Sequence, residues 1–154
     1  MLLKDKIAVI YGAGGAIGGA VAQAFAREGA RLFLTGRNLA PVEAVVKDIV
    51  AAGGSAEAAE VDALDEQAVD THLQSVTDKA GRVDISFNAI GIPNPKVRVP
   101  LVELDVEQFF LPIATYARSY GSSRIPTHSS GVRSTCRSAR RHATNRSKPS
   151  PWPS

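Results

Sequence analysis

Ile7-Ala8-Val9-Ile10-Tyr11-Gly12-Ala13-Gly14-Gly15-Ala16-Ile17-Gly18-Gly19 is the stretch that decides the fold. Ile7 to Tyr11 is a short β-branched apolar run of the kind that forms a strand buried on both faces. The glycines follow at once, and a helical pattern begins behind them. Strand, glycine turn and helix in that order make a phosphate-binding corner. Glycines let the backbone turn sharply and approach a pyrophosphate, and the helix N-terminus offers unpaired N–H groups with a partial positive charge. Gly12-x-Gly14 opens like the common dinucleotide fingerprint, although the next glycine falls at Gly18, where strict spacing needs position 17. A purely structural turn is the competing reading; the flanking strand and helix signals favour a nucleotide.

Downstream of the corner the pattern alternates. Ile17, Val21, Ala24 and Phe25 recur at helical spacing, and Gly29 is placed to end that helix. Leu32 to Thr35 reads as a second buried strand. Asn38 can cap a second helix with Val42, Val45, Val46, Ile49 and Val50 as its stripe, stopped at Gly53-Gly54. Ala56 to Val61 is a weaker strand suited to a sheet edge. Asp65 then caps a third helix with Val69, Leu73, Val76 and Ala80 inward, ending at Gly81. Val83 to Phe87 is a fourth strand. Gly91 to Pro100 is a Pro-rich loop, and Val102 to Tyr120 reads as largely helical, with Pro112 expected to break or kink it. Strands alternating with helices of this length mean right-handed βαβ units and a mostly parallel sheet, in the order 3-2-1-4 for a doubly wound arrangement. Nothing after Tyr120 looks able to supply a fifth strand, so the fourth should lie at an open edge.

Composition divides the 154 residues in two. Up to Tyr120 there are 11 Lys+Arg against 15 Asp+Glu, a balance of −4. From Gly121 to Ser154 there are 7 Lys+Arg and no acid, together with 9 Ser and 4 Pro. Ile125 and Val132 are the only aliphatics larger than Ala in that segment, which shows neither a helical nor a strand period. The reading is a folded unit over 1–120 and a disordered, basic, non-homologous tail over 121–154. An aperiodic, acid-free, Ser/Arg/Pro-rich segment is what out-of-frame translation of a GC-rich gene would produce. Cys136 is the single cysteine, which excludes an intrachain disulfide and suggests no metal cluster. No signal-peptide pattern or membrane-length apolar run is present, so a cytoplasmic location without membrane contact is expected. The tail's charge would attract nucleic-acid phosphates, but one aromatic (Trp152) and no recognised motif argue against that partner.

Four features together resemble the short-chain dehydrogenase/reductase family: the glycine turn after the first strand, Thr35-Gly36-Arg37 after the second, Asp62 after the third, and Asn88 with Gly91 after the fourth. Tyr11 stands where the family usually has Thr and Ala16 where it has Gly, and the family's Asn-Asn-Ala-Gly signature reads Asn88-Ala89-Ile90-Gly91. The resemblance implies a Rossmann-like fold, incomplete here, that binds a nicotinamide dinucleotide through Gly12, Gly14, Gly15, Ala16, Ile17, Gly18, Arg37, Asp62, Asn88 and Gly91. Where an NAD site places an acid at the end of the second strand, this chain has Gly36 followed by Arg37. A planar fork of donors with no competing acid favours the 2′-phosphate of NADP(H), with NAD(H) as the other candidate. Asp62 resembles the acid that meets the adenine edge, and reads equally as a helix-entry carboxylate near Asp65. Asn88 and Gly91 would lie beside the ribose, or simply form a strand-to-loop turn. His72 reads as a surface or boundary residue.

The family acts on carbonyl or alcohol substrates with a Tyr as general acid/base and a Lys four residues later, assisted by a Ser and a helix Asn. No Tyr here has Lys at i+4: Tyr11 is followed there by Gly15, Tyr116 by Tyr120 and Tyr120 by Arg124. Asp105 to Tyr120 contains no Asn. Loss of a positioned general acid costs about 10²–10⁴-fold in rate. The expectation is therefore the cofactor-binding half of such an oxidoreductase, without catalytic residues, or a non-catalytic dinucleotide-binding module. The resemblance also implies a homo-oligomer, one of whose usual interface helices has no counterpart in this chain.

Overall fold

The computed structural model describes residues 1–91 and 100–122; the interior of the Pro-rich loop, Cys136 and the basic tail from residue 123 lie outside the described residues. In chain order the elements are β1 (Ile7–Tyr11), α1 (Ala16–Arg27), β2 (Arg31–Gly36), α2 (Leu39–Ala51), β3 (Ser55–Glu60), α3 (Glu66–Ala80), β4 (Ile85–Asn88), a 3₁₀ turn (Leu101–Glu103) and α4 (Val106–Ser122). The four strands form one parallel sheet in the order β3-β2-β1-β4. β1 sits between β2 and β4, with Ile7 opposite Arg31 and Tyr11 opposite both Thr35 and Asn88. A strand flanked on both sides and covered on both faces must be apolar throughout, and all five residues of β1 are buried.

The sheet separates two cores. On one face Ala8, Ile10, Leu32 and Leu34 pack with Ala22 of α1 and Val42 and Ile49 of α2. On the other, Val9, Tyr11 and Phe33 pack with Val69, Leu73 and Val76 of α3. Each of the larger side chains contributes about 1.5–3 kcal/mol when fully buried.

Local signals place most boundaries. Asp65 caps α3, its carboxylate accepting from the N–H groups of Gln67 and Ala68 at 3.0 and 3.2 Å. Gly81 ends the same helix in the left-handed conformation at φ +79°. Asn38 stands in extended conformation before α2, but its side chain makes no capping bond.

Several expectations shift. The buried face of α1 is Gly18, Gly19 and Ala22, whereas Ile17 and Ala24 are exposed. Val21 and Phe25 pack against the core as expected, while Gly18 and Gly19 lie against the turn, where a Cβ at either would meet the backbone of Gly12 or Ala13. Val50 is likewise exposed at the end of the α2 stripe. β4 begins at Ile85, and α4 begins at Val106 behind the 3₁₀ turn and continues unbroken through Pro112. His72 is half-buried on α3 with Nδ1 unpartnered among the described residues, and burial pulls its pKa below the usual value.

Candidate functional site

The carboxyl ends of the strands open into a cleft of about 670 Å³, floored by the turn between β1 and α1. Gly12 leaves β1 with φ +75°, a conformation that disfavours a side chain, and a Cβ there would come within 2.8 Å of the Ala89 carbonyl oxygen. Gly18 is tighter still, since a Cβ would run into the carbonyl of Gly12. At Gly14 it would lie 3.0 Å from Cβ of Pro41 on α2. The turn is pinned from below: Ala13 N–H donates to the Thr35 carbonyl at 2.9 Å, and the Thr35 hydroxyl reaches the Ile10 carbonyl at 3.3 Å.

The first intrahelical bond of α1 runs from Gly19 N–H to the Gly15 carbonyl at 2.8 Å. The N–H groups of Ala16, Ile17 and Gly18 therefore precede the helical ladder. Gly15 offers no capping side chain, and no acid lies in the first turn. Gly14 to Ile17 are exposed, so this helix end presents donors and positive dipole to solvent.

The far wall comes from β2 and β3. Arg37 is exposed at the cleft, and its guanidinium makes no ion pair or hydrogen bond with any described residue. Asn38 beside it also lines the cleft, and α2 behind it has no acid in its first turn. Asp62 lines the cleft too, with Oδ1 accepting from Leu64 N–H at 3.0 Å. Asp65, and not Asp62, is the carboxylate that caps α3, which leaves one oxygen of Asp62 uncommitted among the described residues.

Six of the ten residues expected at the cofactor converge on this cleft: Gly12, Gly14, Gly15, Arg37, Asp62 and Gly91. Ala16 and Ile17 lie on the exposed first turn of α1, and Gly18 is buried under the turn as a packing residue. Asn88 faces elsewhere: its Oδ1 accepts from Ile90 N–H at 3.0 Å, and its Nδ2 donates to Ser119 Oγ of α4 at 2.9 Å. Leu111 and Thr115 of α4 close the cleft from the side and were not anticipated. Their i, i+4 spacing put them on one helix face, but nothing local says what that face meets.

Tyr11 lies beneath the wall, in the buried cluster that includes Val61 and Ala63 and against which Ile90 packs. Its hydroxyl has no partner among the described residues. Burial, reinforced by the charge of Asp70, pushes the phenol far above its ordinary range, so it stays protonated. Among the described residues no group of His, Cys, Asp and Glu converges as metal ligands, and no helix is long and apolar enough to cross a membrane.

The short chain dehydrogenase family model matches residues 6–116. An uncharacterised oxidoreductase of Bacillus subtilis is 40% identical over 90 residues, covering 58% of this chain and 33% of that protein. A 7alpha-hydroxysteroid dehydrogenase of Clostridium sardiniense is 32% identical over 108 residues, covering 70% of this chain and 41% of that protein. Among solved structures, a metagenomic short-chain oxidoreductase in complex with NADP aligns with a TM-score of 0.68 at 30% identity, over 79% of this chain and 54% of that one. The chain thus spans 33% and 41% of the two curated relatives and 54% of the solved one.

Proposed function

The chain belongs to the short chain dehydrogenase family, and from that premise we propose that its cleft binds a nicotinamide dinucleotide, NADP(H) in preference to NAD(H). The observation that carries the preference is the uncommitted Arg37 guanidinium at the cleft, with no acid in the adjoining first turn of α2. A carboxylate there would accept from ribose hydroxyls and repel a 2′-phosphate; a guanidinium does the reverse. The glycine turn fits the pyrophosphate because no side chain stands between it and the bare start of α1. Gly14, Gly15, Ala16 and Ile17 would supply that contact, while Gly12 and Gly18 keep the backbone close. Asp62 would take the adenine edge with its remaining acceptor capacity, and Gly91 leaves room at the β4 end.

The bound nicotinamide would supply hydride exchange with a carbonyl or alcohol carbon, a class in keeping with the hydroxysteroid dehydrogenase relative. Such a reaction also needs a proton at the substrate oxygen. The family's Tyr–Lys pair that moves it is missing from this sequence, and Tyr11, the buried phenol beneath the wall, is packed in an apolar core and does not line the cleft. We therefore assign this chain dinucleotide binding without turnover.

Fluorescence titration of the full chain with NADPH and NADH tests the assignment. NADPH should bind more tightly, and Arg37→Ala should weaken it by about 10- to 100-fold, the value of a charge-assisted contact, while NADH changes little. Equal affinities in the wild type would remove the preference. Failure to bind either nucleotide would remove the site. Steady consumption of NADPH with any carbonyl substrate would overturn the absence of turnover.

A further inference from the structure

Two walls of the cleft share one hub. Asn88 ends β4, and its amide is used on both sides: Oδ1 holds the Ile90 N–H at 3.0 Å, and Nδ2 donates to Ser119 Oγ at 2.9 Å. The amide orientation follows from these partners, because only oxygen can accept from the Ile90 N–H. Ser119 is fully buried in α4, and its hydroxyl donates in turn to the Tyr116 carbonyl at 3.1 Å. On one side of the hub lie Ala89, Ile90 and Gly91, which line the cleft. On the other lie Leu111 and Thr115, the α4 residues that line it, eight and four positions before Ser119 and hence on the same helix face.

We infer that Ser119 is a positioning residue for dinucleotide binding: through Asn88 it sets the α4 wall of the cleft against the Ala89–Gly91 wall. This rests on the dinucleotide-binding reading above. The bond is part-buried and links segments 31 residues apart. α4 follows a long connection from β4, so the hub ties it back to the sheet directly. Removing the hydroxyl leaves the half-buried amide donor of Asn88 without that acceptor and releases the wall that carries Leu111 and Thr115. Holding both walls of a cleft in place beforehand spares binding the cost of ordering them.

The test uses the full chain, NADPH as the probe, and the variants Ser119→Ala and Ser119→Thr. Ser119→Ala should weaken NADPH binding about three- to tenfold, the range of one hydrogen bond, and Ser119→Thr should restore it. Amide hydrogen exchange separates positioning from mere stability. In the wild type, NADPH should add protection at Ile90 and at 111–115 together. In Ser119→Ala the added protection at 111–115 should disappear while that at the glycine turn persists. Undiminished NADPH binding by Ser119→Ala, or wild-type protection confined to the glycine turn, would overturn the inference; the second result decides the matter even if the Ala variant does not fold. A wild type that binds no dinucleotide would instead bring down the parent reading and this inference together, an outcome distinct from a binding wild type with a neutral variant.

Discussion

A methyl group at position 18 has no free space, because its carbon would meet the carbonyl of Gly12 and the Cα of Ala13. Both neighbours are backbone of the turn and cannot swing aside as a side chain could. Gly18→Ala should therefore cost about 1–3 kcal/mol in urea unfolding, as overpacking of a tight core does, and should also displace the turn that floors the cleft. An Ala variant as stable as the wild type would mean that the turn opens freely. Gly12, Gly14 and Gly15 could be assigned to the cleft from sequence, since a glycine-rich strand-to-helix turn has few geometries. Asn88 could not, because its partner Ser119 lies far along the chain. The residues that follow Asn88 reach the cleft, while its own side chain is turned to α4.

At the scale of elements, β1 and β4 are joined at their amino ends by Asp84. Its Oδ2 accepts from Ile7 N–H at 2.8 Å, its own N–H donates to the Ile7 carbonyl at 2.9 Å, and Arg82 Nε approaches the same carboxylate at 3.0 Å. The backbone donor of Ile7, helped by Arg82 and Lys6, holds the Asp84 carboxyl below its ordinary pKa. A depressed acid stabilises the fold above its unfolded value, near pH 4, and that contribution is lost as pH falls through the folded value. Asp84→Asn should lower stability at pH 7 by about 1 kcal/mol, with the gap to the wild type narrowing as the pH falls into the carboxylate range. A gap independent of pH would show that ionisation of Asp84 does not matter. The elements themselves were legible: all four strands and three helices appear within a few residues of their expected places. The α1 stripe was legible in part: Val21 and Phe25 pack on the core as their spacing predicts, whereas Gly18 and Gly19 are buried because they lie against the backbone of the turn.

For the molecule as a whole, β4 has a neighbouring strand on one side only among the described residues. α4 beside it exposes Phe109, Phe110, Ile113, Tyr116 and Tyr120. An open strand edge next to an exposed apolar helix promotes association. Sedimentation velocity should show mass rising with protein concentration, and Phe109→Ser with Ile113→Ser should suppress the rise; a wild type monomeric across the micromolar range would count against it. The sequence by itself determined the alternation of strands and helices and the glycine turn between β1 and α1, and, taken as a doubly wound arrangement, the strand order β3-β2-β1-β4. Tertiary structure alone decided that Leu111 and Thr115 of α4 close the cleft and that Asn88 serves α4. Each of these depends on how near two distant segments come, and that distance is set by packing across the sheet, which no local pattern encodes.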